Sequence, residues 1–248
     1  RATCCGKGMH NKCREDMIAS KMSNEAVNRC VMCRAMYQDN TKEGMEETIK
    51  RLRKWATKGK AWAQSMLGQC YREGEGVKKD EKRAAVLYNL ASEQGDAGAQ
   101  YNLGVMYEHG QGVDTDVKRA VELYTLAADQ GDVNAQYNLG CMYRDGRGVD
   151  KDEKRAVELF TLAADQGYVR AQFNLGIMYQ NGRGVDKDEK RAVEMYTLAA
   201  DQGYADAQFN LGVMYEHGRG VDKDEERAVE LYTLAAEQDD AGAQFNLG

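Results

Sequence analysis

The chain has 248 residues, a formal net charge of −6 and no proline. No apolar run approaches the roughly 18 residues of a transmembrane helix, so we expect no membrane association. The charge is uneven, because residues 1–59 carry +6 and residues 60–248 carry −12. An acidic array repels the phosphates of nucleic acid, so we expect no nucleic-acid partner. The start at Arg1 and the end in "AGAQFNLG" predict a fragment of a longer protein.

The first predicted domain is a cysteine-rich head, residues 1–36. Five of the seven cysteines and one of the three histidines lie in the first 33 residues. Thiolates and imidazoles are the ligands that zinc prefers, and pairs two residues apart can reach one ion from a single turn. Clustered cysteines also favour a reducing, intracellular compartment, cytoplasmic or nuclear, over a disulfide framework. The predicted zinc ligands are Cys4, Cys5, His10, Cys13, Cys30 and Cys33.

Two ligand arrangements remain open for this head. The residues allow one compact site of His10, Cys13, Cys30 and Cys33, which leaves the first two cysteines spare. The spacing also resembles the last three quarters of a RING finger, whose first Cys-x2-Cys pair would lie upstream of Arg1. In that family a histidine is expected where Lys7 stands.

The RING resemblance implies a two-zinc arrangement and a particular partner. One zinc ion would be held by Cys30, Cys33, Cys5 and Cys4, and the other would keep His10 and Cys13. RING fingers supply no nucleophile and instead recruit a ubiquitin-conjugating enzyme, so that enzyme is the partner implied at the head.

Residues 37–59 are predicted to form a connector and a capping helix. The stretch "MEETIKRLRKWATKG" (45–59) aligns with the second helix of the repeats that follow it. Ile49, Leu52 and Ala56 take the apolar positions of that helix, as expected for a helix that covers the first repeat.

Residues 60–248 are organised by an internal repeat. The pair Ala-Gln recurs every 36 residues, from 63–64 to 243–244. A fixed period of this size is typical of a solenoid. We expect five full repeats, 60–95, 96–131, 132–167, 168–203 and 204–239, and a sixth that begins at residue 240.

Each repeat is predicted to contain two helices. In the third repeat Ala135, Leu139 and Tyr143 lie on one helical face, and "DGRG" ends that helix. Asp152 is the expected N-cap of the second helix, whose apolar stripe includes Phe160. Small residues such as glycine and alanine fall where two helices must approach closely, and stacking of repeats buries the remaining apolar surface.

The repeated pattern resembles the Sel-one-like repeat family, which is related to tetratricopeptide repeats. The resemblance implies an all-α fold, a right-handed solenoid of antiparallel helix pairs, here with a small zinc-binding head. Members of that family are mostly adaptors with no chemistry in the repeats. We therefore expect a non-catalytic scaffold for protein interactions, and the alternative is a RING-type ubiquitin ligase that uses the repeats as its substrate receptor.

The predicted partner groove follows from the same resemblance. In tetratricopeptide-like solenoids the first helix of each pair lines the concave face. We call a position together with its equivalents every 36 residues a slot and number it by its residue in the second repeat. The resemblance implies that slots 101, 102, 105, 108 and 109 face proteins or extended peptides. Amide side chains there could bind a peptide backbone, or they could instead connect neighbouring repeats. The predicted groove residues are Tyr101, Asn102, Tyr137, Asn138, Phe173, Asn174, Phe209 and Asn210.

The remaining polar and thiol residues of the repeats predict no chemistry. Slots 108 and 109 vary between repeats, as a binding face or an unconstrained surface would. His109 and His217 lie three repeats apart and cannot share a site within one chain. Cys70 and Cys141 occupy apolar slots and are expected to be buried thiols that act as small hydrophobes.

Overall fold

The computed structural model describes residues 42–238, in which eleven α-helices and no strand are found. The predicted all-helical fold with two helices per repeat is therefore confirmed for this range. The helices are α1 Lys42–Ala56, α2 Ala61–Glu73, α3 Glu81–Ser92, α4 Ala97–His109, α5 Val117–Asp129, α6 Val133–Asp145, α7 Glu153–Asp165, α8 Val169–Asn181, α9 Glu189–Ala200, α10 Ala205–His217 and α11 Glu225–Ala236.

The chain divides into two compact units. Among the described residues, unit 1 comprises 42–99 and 111–113, and unit 2 comprises 100–110 and 114–238. The described part of unit 1 holds α1 to α3, where α2 packs against both of its neighbours. In unit 2, α7, α9 and α11 pack against the first helix of their own repeat, and α5, α7 and α9 pack against the first helix of the next.

The second helix of every described repeat begins at an aspartate cap. Asp152 accepts a hydrogen bond from the backbone N–H of Arg155 at 3.0 Å, as its spacing predicts. Asp80, Asp116, Asp188 and Asp224 do the same in the other repeats. Such a cap stabilises a helix by about 1 kcal/mol, so the aspartate fixes where each second helix starts.

Two glycines shape the turn between the helices of a repeat. Gly146 has a φ of 68° and donates its N–H to the carbonyl of Met142, which ends α6 as predicted. The structure gives Gly148 a further role, because a Cβ there would lie 2.8 Å from the carbonyl oxygen of Val117. The turn of one repeat thus packs against the backbone at the start of the preceding second helix.

The core is built from large rings against small residues. The Phe160 ring is fully buried, and a Cβ on Gly140 would lie 2.7 Å from its Cε1 atom. Tyr143 is half-buried and packs against the apolar clusters on both sides of it. The rings of Tyr143 and Phe160 thus fill the space beside small helix positions in unit 2.

The two thiols that were expected to be buried are only partly covered. Cys70 and Cys141 are both half-buried, because they lie at the border between the packed core and the surface. Burial is still the largest influence on both groups, and it raises the pKa of Cys70 to about 11 and that of Cys141 above its usual value. Both thiols therefore stay protonated near neutral pH.

Within residues 42–238, no helix has both the length and the apolar character needed to cross a membrane.

Candidate partner-binding face

The candidate site is a surface on α4, α6, α8 and α10 of unit 2, called here the first-helix face. It consists of slots 101, 102, 105, 108 and 109 and their equivalents in the next three repeats. The first four slots are half-buried in every one of these repeats, and slot 109 is exposed in all of them. The residues at slot 109 are His109, Asp145, Asn181 and His217.

The aromatic residues at slot 101 are partly used in packing. The ring centroids of Tyr137 and Phe160 lie 5.8 Å apart, and the other three repeats pair the equivalent rings at 5.6 to 5.9 Å. Tyr137 also lies 5.1 Å from Tyr168, at the start of the next repeat. A partner would therefore meet only part of each ring, because these residues are half-buried.

Three of the four asparagines at slot 102 bond to the preceding repeat. Asn174 accepts a hydrogen bond from Arg144 at 2.6 Å, and it donates to its own helix at the carbonyl of Arg170 over 2.8 Å. Asn138 and Asn210 hydrogen-bond the hydroxyls of buried tyrosines in the preceding repeats. These contacts favour the connecting role for the three asparagines, and their amides are not simply open to a peptide.

The choice of side chain at slot 108 follows the ring opposite it on the second helix. Tyr124 donates its hydroxyl to Glu108 at 2.7 Å, and Tyr196 donates to Gln180 at the same distance. In the fifth repeat Tyr232 donates its hydroxyl to Glu216, as Tyr124 does to Glu108.

The third repeat has a phenylalanine in place of the tyrosine. Phe160 has no hydroxyl, and slot 108 of this repeat holds Arg144, which bonds to Asp145 and Asn174 instead. Variation at slot 108 is therefore explained largely by local pairing, and slot 109 is the exposed position of the face at which the residue also varies.

The local electrostatics keep the tyrosine hydroxyls as donors. Burial raises the pKa of Tyr196 to about 12, against a lowering influence from the Asn210 amide. Burial also raises the pKa of Tyr137 to about 12. At the surface Arg144 pairs with Asp145 at 2.7 Å and lowers the pKa of that carboxyl, so the face mixes both charges.

The Ala-Gln pair marks the period in the sequence, but the hydrogen-bonding role of its glutamine was not predicted. Gln136 is only 4% exposed, yet its side chain is fully engaged. It accepts from the amide of Gln166 at 2.8 Å and donates to the carbonyl of Ala128 at 3.3 Å. The signal was available, because an unvarying polar residue beside a buried alanine indicates a satisfied hydrogen bond.

The same glutamine contact recurs in the other described repeats. The two side chains of each pair are 30 residues apart and 2.7 to 2.9 Å from each other. Each pair joins the first helix of a repeat to the end of the second helix of that repeat.

The predicted zinc ligands cannot be placed on this framework. Cys4, Cys5, His10, Cys13, Cys30 and Cys33 all lie outside the described residues. Within residues 42–238, no three His, Cys, Asp or Glu side chains are grouped so that they could hold a metal ion.

The repeat geometry agrees with a known sequence family. The Sel1 repeat pattern matches residues 63–96, 97–132, 133–168, 169–204 and 205–240. The chain belongs to the Sel1 repeat family. Proteins of this family are generally scaffolds for protein interactions. The first matched repeat begins three residues after the expected one and each of the other four begins one residue after it, with the same number of full repeats.

Two solved structures are similar to this Sel1 repeat chain. A Sel1 repeat protein from Oxalobacter formigenes is 34% identical, with a TM-score of 0.76, and the match covers 83% of this chain and 82% of that one. The antigen c5321 of uropathogenic Escherichia coli is 33% identical, with a TM-score of 0.82. That match covers 92% of this chain but 49% of c5321, so the chain spans about half the length of that relative. No curated protein matches the chain.

Proposed function

We propose that this Sel1 repeat chain is a non-catalytic scaffold whose first-helix face binds protein partners or extended peptides. The observation that supports this most directly is slot 109, where four exposed residues of varying chemistry sit on an otherwise repeated frame. The general role of the family supports the same assignment. The right-handed sense expected for the solenoid stays a prediction.

The contacts on the face define how a partner would be held. Ring edges at slot 101 and the mostly aliphatic residues at slot 105 offer apolar area, and slot 109 offers the variable polar contacts. The asparagines are engaged between repeats, so substituting Asn138 and Asn174 together would weaken the array as well as any partner contact. Slot 109 is therefore the better place to test binding.

A photo-crosslinking amino acid placed at Asn181 tests the proposal. Asn181 lies on the first-helix face, whereas Leu198 is 47% exposed on a second helix and gives a matched control. We expect a discrete crosslinked protein from Asn181 that is absent from Leu198, identified by mass spectrometry and then bound in purified form. Equal crosslinking from both positions would count against this face.

We also propose that the head binds zinc through Cys4, Cys5, His10, Cys13, Cys30 and Cys33. The support is the donor set itself, since thiolates and an imidazole at these spacings suit zinc. Metal analysis of the purified chain tests it by comparing the double change Cys30→Ser and Cys33→Ser with the control Cys70→Ser and Cys141→Ser. Zinc should be lost only from the first variant, and equal zinc in both would contradict the proposal. Placement in a reducing, intracellular compartment rests on the same cysteines and stays a prediction.

The alternative function is a RING-type ubiquitin ligase that uses the repeats as substrate receptor. The spacing of the head cysteines favours it, whereas Lys7 and the absence of proline depart from the RING pattern. A discharge assay with ubiquitin-loaded conjugating enzymes decides the matter. Zinc-dependent release of ubiquitin would support the ligase function. No release with any conjugating enzyme would contradict it and leave the scaffold as the proposed function.

A further inference from the structure

The first repeat, in unit 1, departs from the four others at the slots that face a partner. Ser65 replaces the aromatic residue of slot 101, and Met66 replaces the asparagine of slot 102. Arg72 stands at slot 108, opposite the buried ring of Tyr88 on α3. In unit 2 an arginine at this slot faces a phenylalanine, so only the first repeat combines an arginine with a tyrosine.

The Tyr88 hydroxyl lacks an acceptor in the described part of the chain. The side chain is fully buried, and among residues 42–238 no atom forms a hydrogen bond with its oxygen. The equivalent tyrosines of unit 2 donate to Glu108, Gln180 and Glu216 at 2.7 Å. A buried donor left unpaired is costly, and such groups are uncommon in folded proteins.

Arg72 adds positive charge next to this hydroxyl. Its guanidinium carbon lies 6.0 Å from the centre of the Tyr88 ring, and its Nη2 lies 2.8 Å from the carboxylate of Glu73. The Arg72 side chain is 23% exposed, so its end reaches the surface. Arginine and the tyrosine hydroxyl are both donors, and together they suit an acceptor that carries negative charge.

The packing around Tyr88 is looser than around its equivalents. A Cβ on Gly68 would lie 3.1 Å from the ring of Tyr88, whereas the same distance at Gly104, Gly140, Gly176 and Gly212 is 2.6 to 2.7 Å. Ser65 also leaves no aromatic ring stacked on Tyr88, unlike slot 101 in unit 2. The ring therefore has more freedom to adjust to an incoming group.

We propose that Arg72 and Tyr88 bind a carboxylate side chain of an acidic peptide segment in a partner protein. The carboxylate takes the place that Glu108 and Glu216 hold in unit 2, accepting from the tyrosine hydroxyl and pairing with the guanidinium. Because the hydroxyl is covered in the free chain, binding includes a turn of the Arg72 side chain away from Glu73. This inference rests on the proposed function, because it takes from it that partners bind along the first helices.

Two further observations support an acidic ligand at this repeat. Residues 42–99 carry 12 Lys or Arg and 9 Asp or Glu, a net charge of +3, whereas residues 100–248 carry −12. An acidic segment is therefore attracted to unit 1 and repelled by unit 2. Burial raises the pKa of Tyr88 to about 12, with Arg72 lowering it and Glu73 raising it, so the hydroxyl keeps its proton at neutral pH.

Fluorescence anisotropy with two labelled peptides tests the proposal on the full chain. One peptide alternates glutamate and serine, and the other has glutamine at every glutamate position. We expect the wild-type chain to prefer the glutamate peptide by about tenfold at low salt, as charge-assisted hydrogen bonds require. Equal affinity for the two peptides overturns the proposal.

A matched pair of variants separates the contribution of the Tyr88 hydroxyl to peptide binding from that of the overall charge. Tyr88→Phe removes the unpaired hydroxyl and should lose most of the preference while its melting temperature stays equal or rises. Tyr196→Phe removes a satisfied hydroxyl and should lower the melting temperature while the preference stays. If the two variants bind the glutamate peptide equally well, Tyr88 has no part in binding.

Arg72→Glu gives the first repeat the pairing that Glu108 and Tyr124 have in unit 2. It should raise the melting temperature and abolish the preference for the glutamate peptide. If the Arg72→Glu variant keeps that preference, the proposal is contradicted. The crosslinking test at Asn181 does not involve these residues, so a partner captured there without any glutamate preference overturns this inference and leaves the proposed function standing.

Discussion

Buried tyrosine hydroxyls determine which side chain fits at slot 108 of each repeat in unit 2. Tyr124 and Tyr196 each donate to an oxygen acceptor at slot 108, and the repeat with Phe160, which has no hydroxyl, carries Arg144 there. A typical buried hydrogen bond of this kind contributes about 1 kcal/mol, and an unpaired donor costs about 1–3 kcal/mol. At the scale of single residues, the array is thus a series of matched pairs.

A double-mutant cycle on the third repeat measures this matching. Phe160→Tyr alone should lower the free energy of unfolding by about 1–3 kcal/mol, because the new hydroxyl faces the donor Arg144. Adding Arg144→Gln reproduces the pair of Gln180 and Tyr196, and it should recover about 1 kcal/mol beyond additivity in urea unfolding. Strictly additive losses would mean that slot 108 is not matched to the ring.

The glutamine pairs make a second residue-scale prediction. Gln172 is 4% exposed, accepts from Gln202 at 2.7 Å and donates to the carbonyl of Ala164 at 3.3 Å. Gln172→Leu removes both of these side-chain hydrogen bonds, and it should reduce the free energy of unfolding by about 1–3 kcal/mol. The control Gln202→Ala changes the exposed partner and should cost less. A larger loss for the control would show that the buried amide is not the important member.

At the scale of helices, close approach is set by glycines under aromatic rings. A Cβ on Gly176 would lie 2.6 Å from Cε1 of Tyr196, whereas one on Gly68 would lie 3.1 Å from Tyr88. The first distance requires the ring and both helices to move, and the second requires only a small shift of a side chain. The two glycines therefore respond differently to the same substitution.

Gly176→Ala and Gly68→Ala test this difference directly. Alanine gains about 1 kcal/mol of helix propensity over glycine at either position. Overpacking costs about 1–3 kcal/mol, which should outweigh the gain at Gly176 and leave that variant less stable. Gly68→Ala should match or exceed the wild type in urea unfolding. Destabilisation of equal size at both positions would argue that packing under the ring is not the cause.

Helix ends and the helical faces were predictable from local sequence, whereas side-chain pairing was not. Asp152 and Gly146 act through their own backbone neighbourhoods, so their roles follow from residue type and spacing. The bonds of Asn174 to the preceding repeat join residues 30 or more positions apart, and only the packed helices bring them together. The acceptor missing at Tyr88 is likewise visible only once the rings are placed.

At the scale of the whole molecule, the period predicted a solenoid and the repeated residue pattern resembled the Sel1 family, but neither defined the partner. The 36-residue interval of Ala-Gln places every repeat, because each repeat must bury its neighbour's apolar face. The partner depends on which exposed slots vary without a structural reason, and pairing inside unit 2 removes slot 108 from that set. The head, residues 1–36, lies outside the described residues, so its zinc remains a proposal.

The central claim is that the first-helix face binds the partner, and one titration tests it most directly. The captured partner is titrated calorimetrically against two double variants. The first carries Asn181→Arg and His217→Arg on the first-helix face, and the control carries Leu162→Arg and Leu198→Arg on second helices. All four positions are exposed, so each change should alter stability by less than about 0.5 kcal/mol. We predict that the first pair weakens binding at least about tenfold, or about 1.4 kcal/mol, while the control stays within about twofold. Loss of binding in the control pair with full affinity in the first pair would contradict the account.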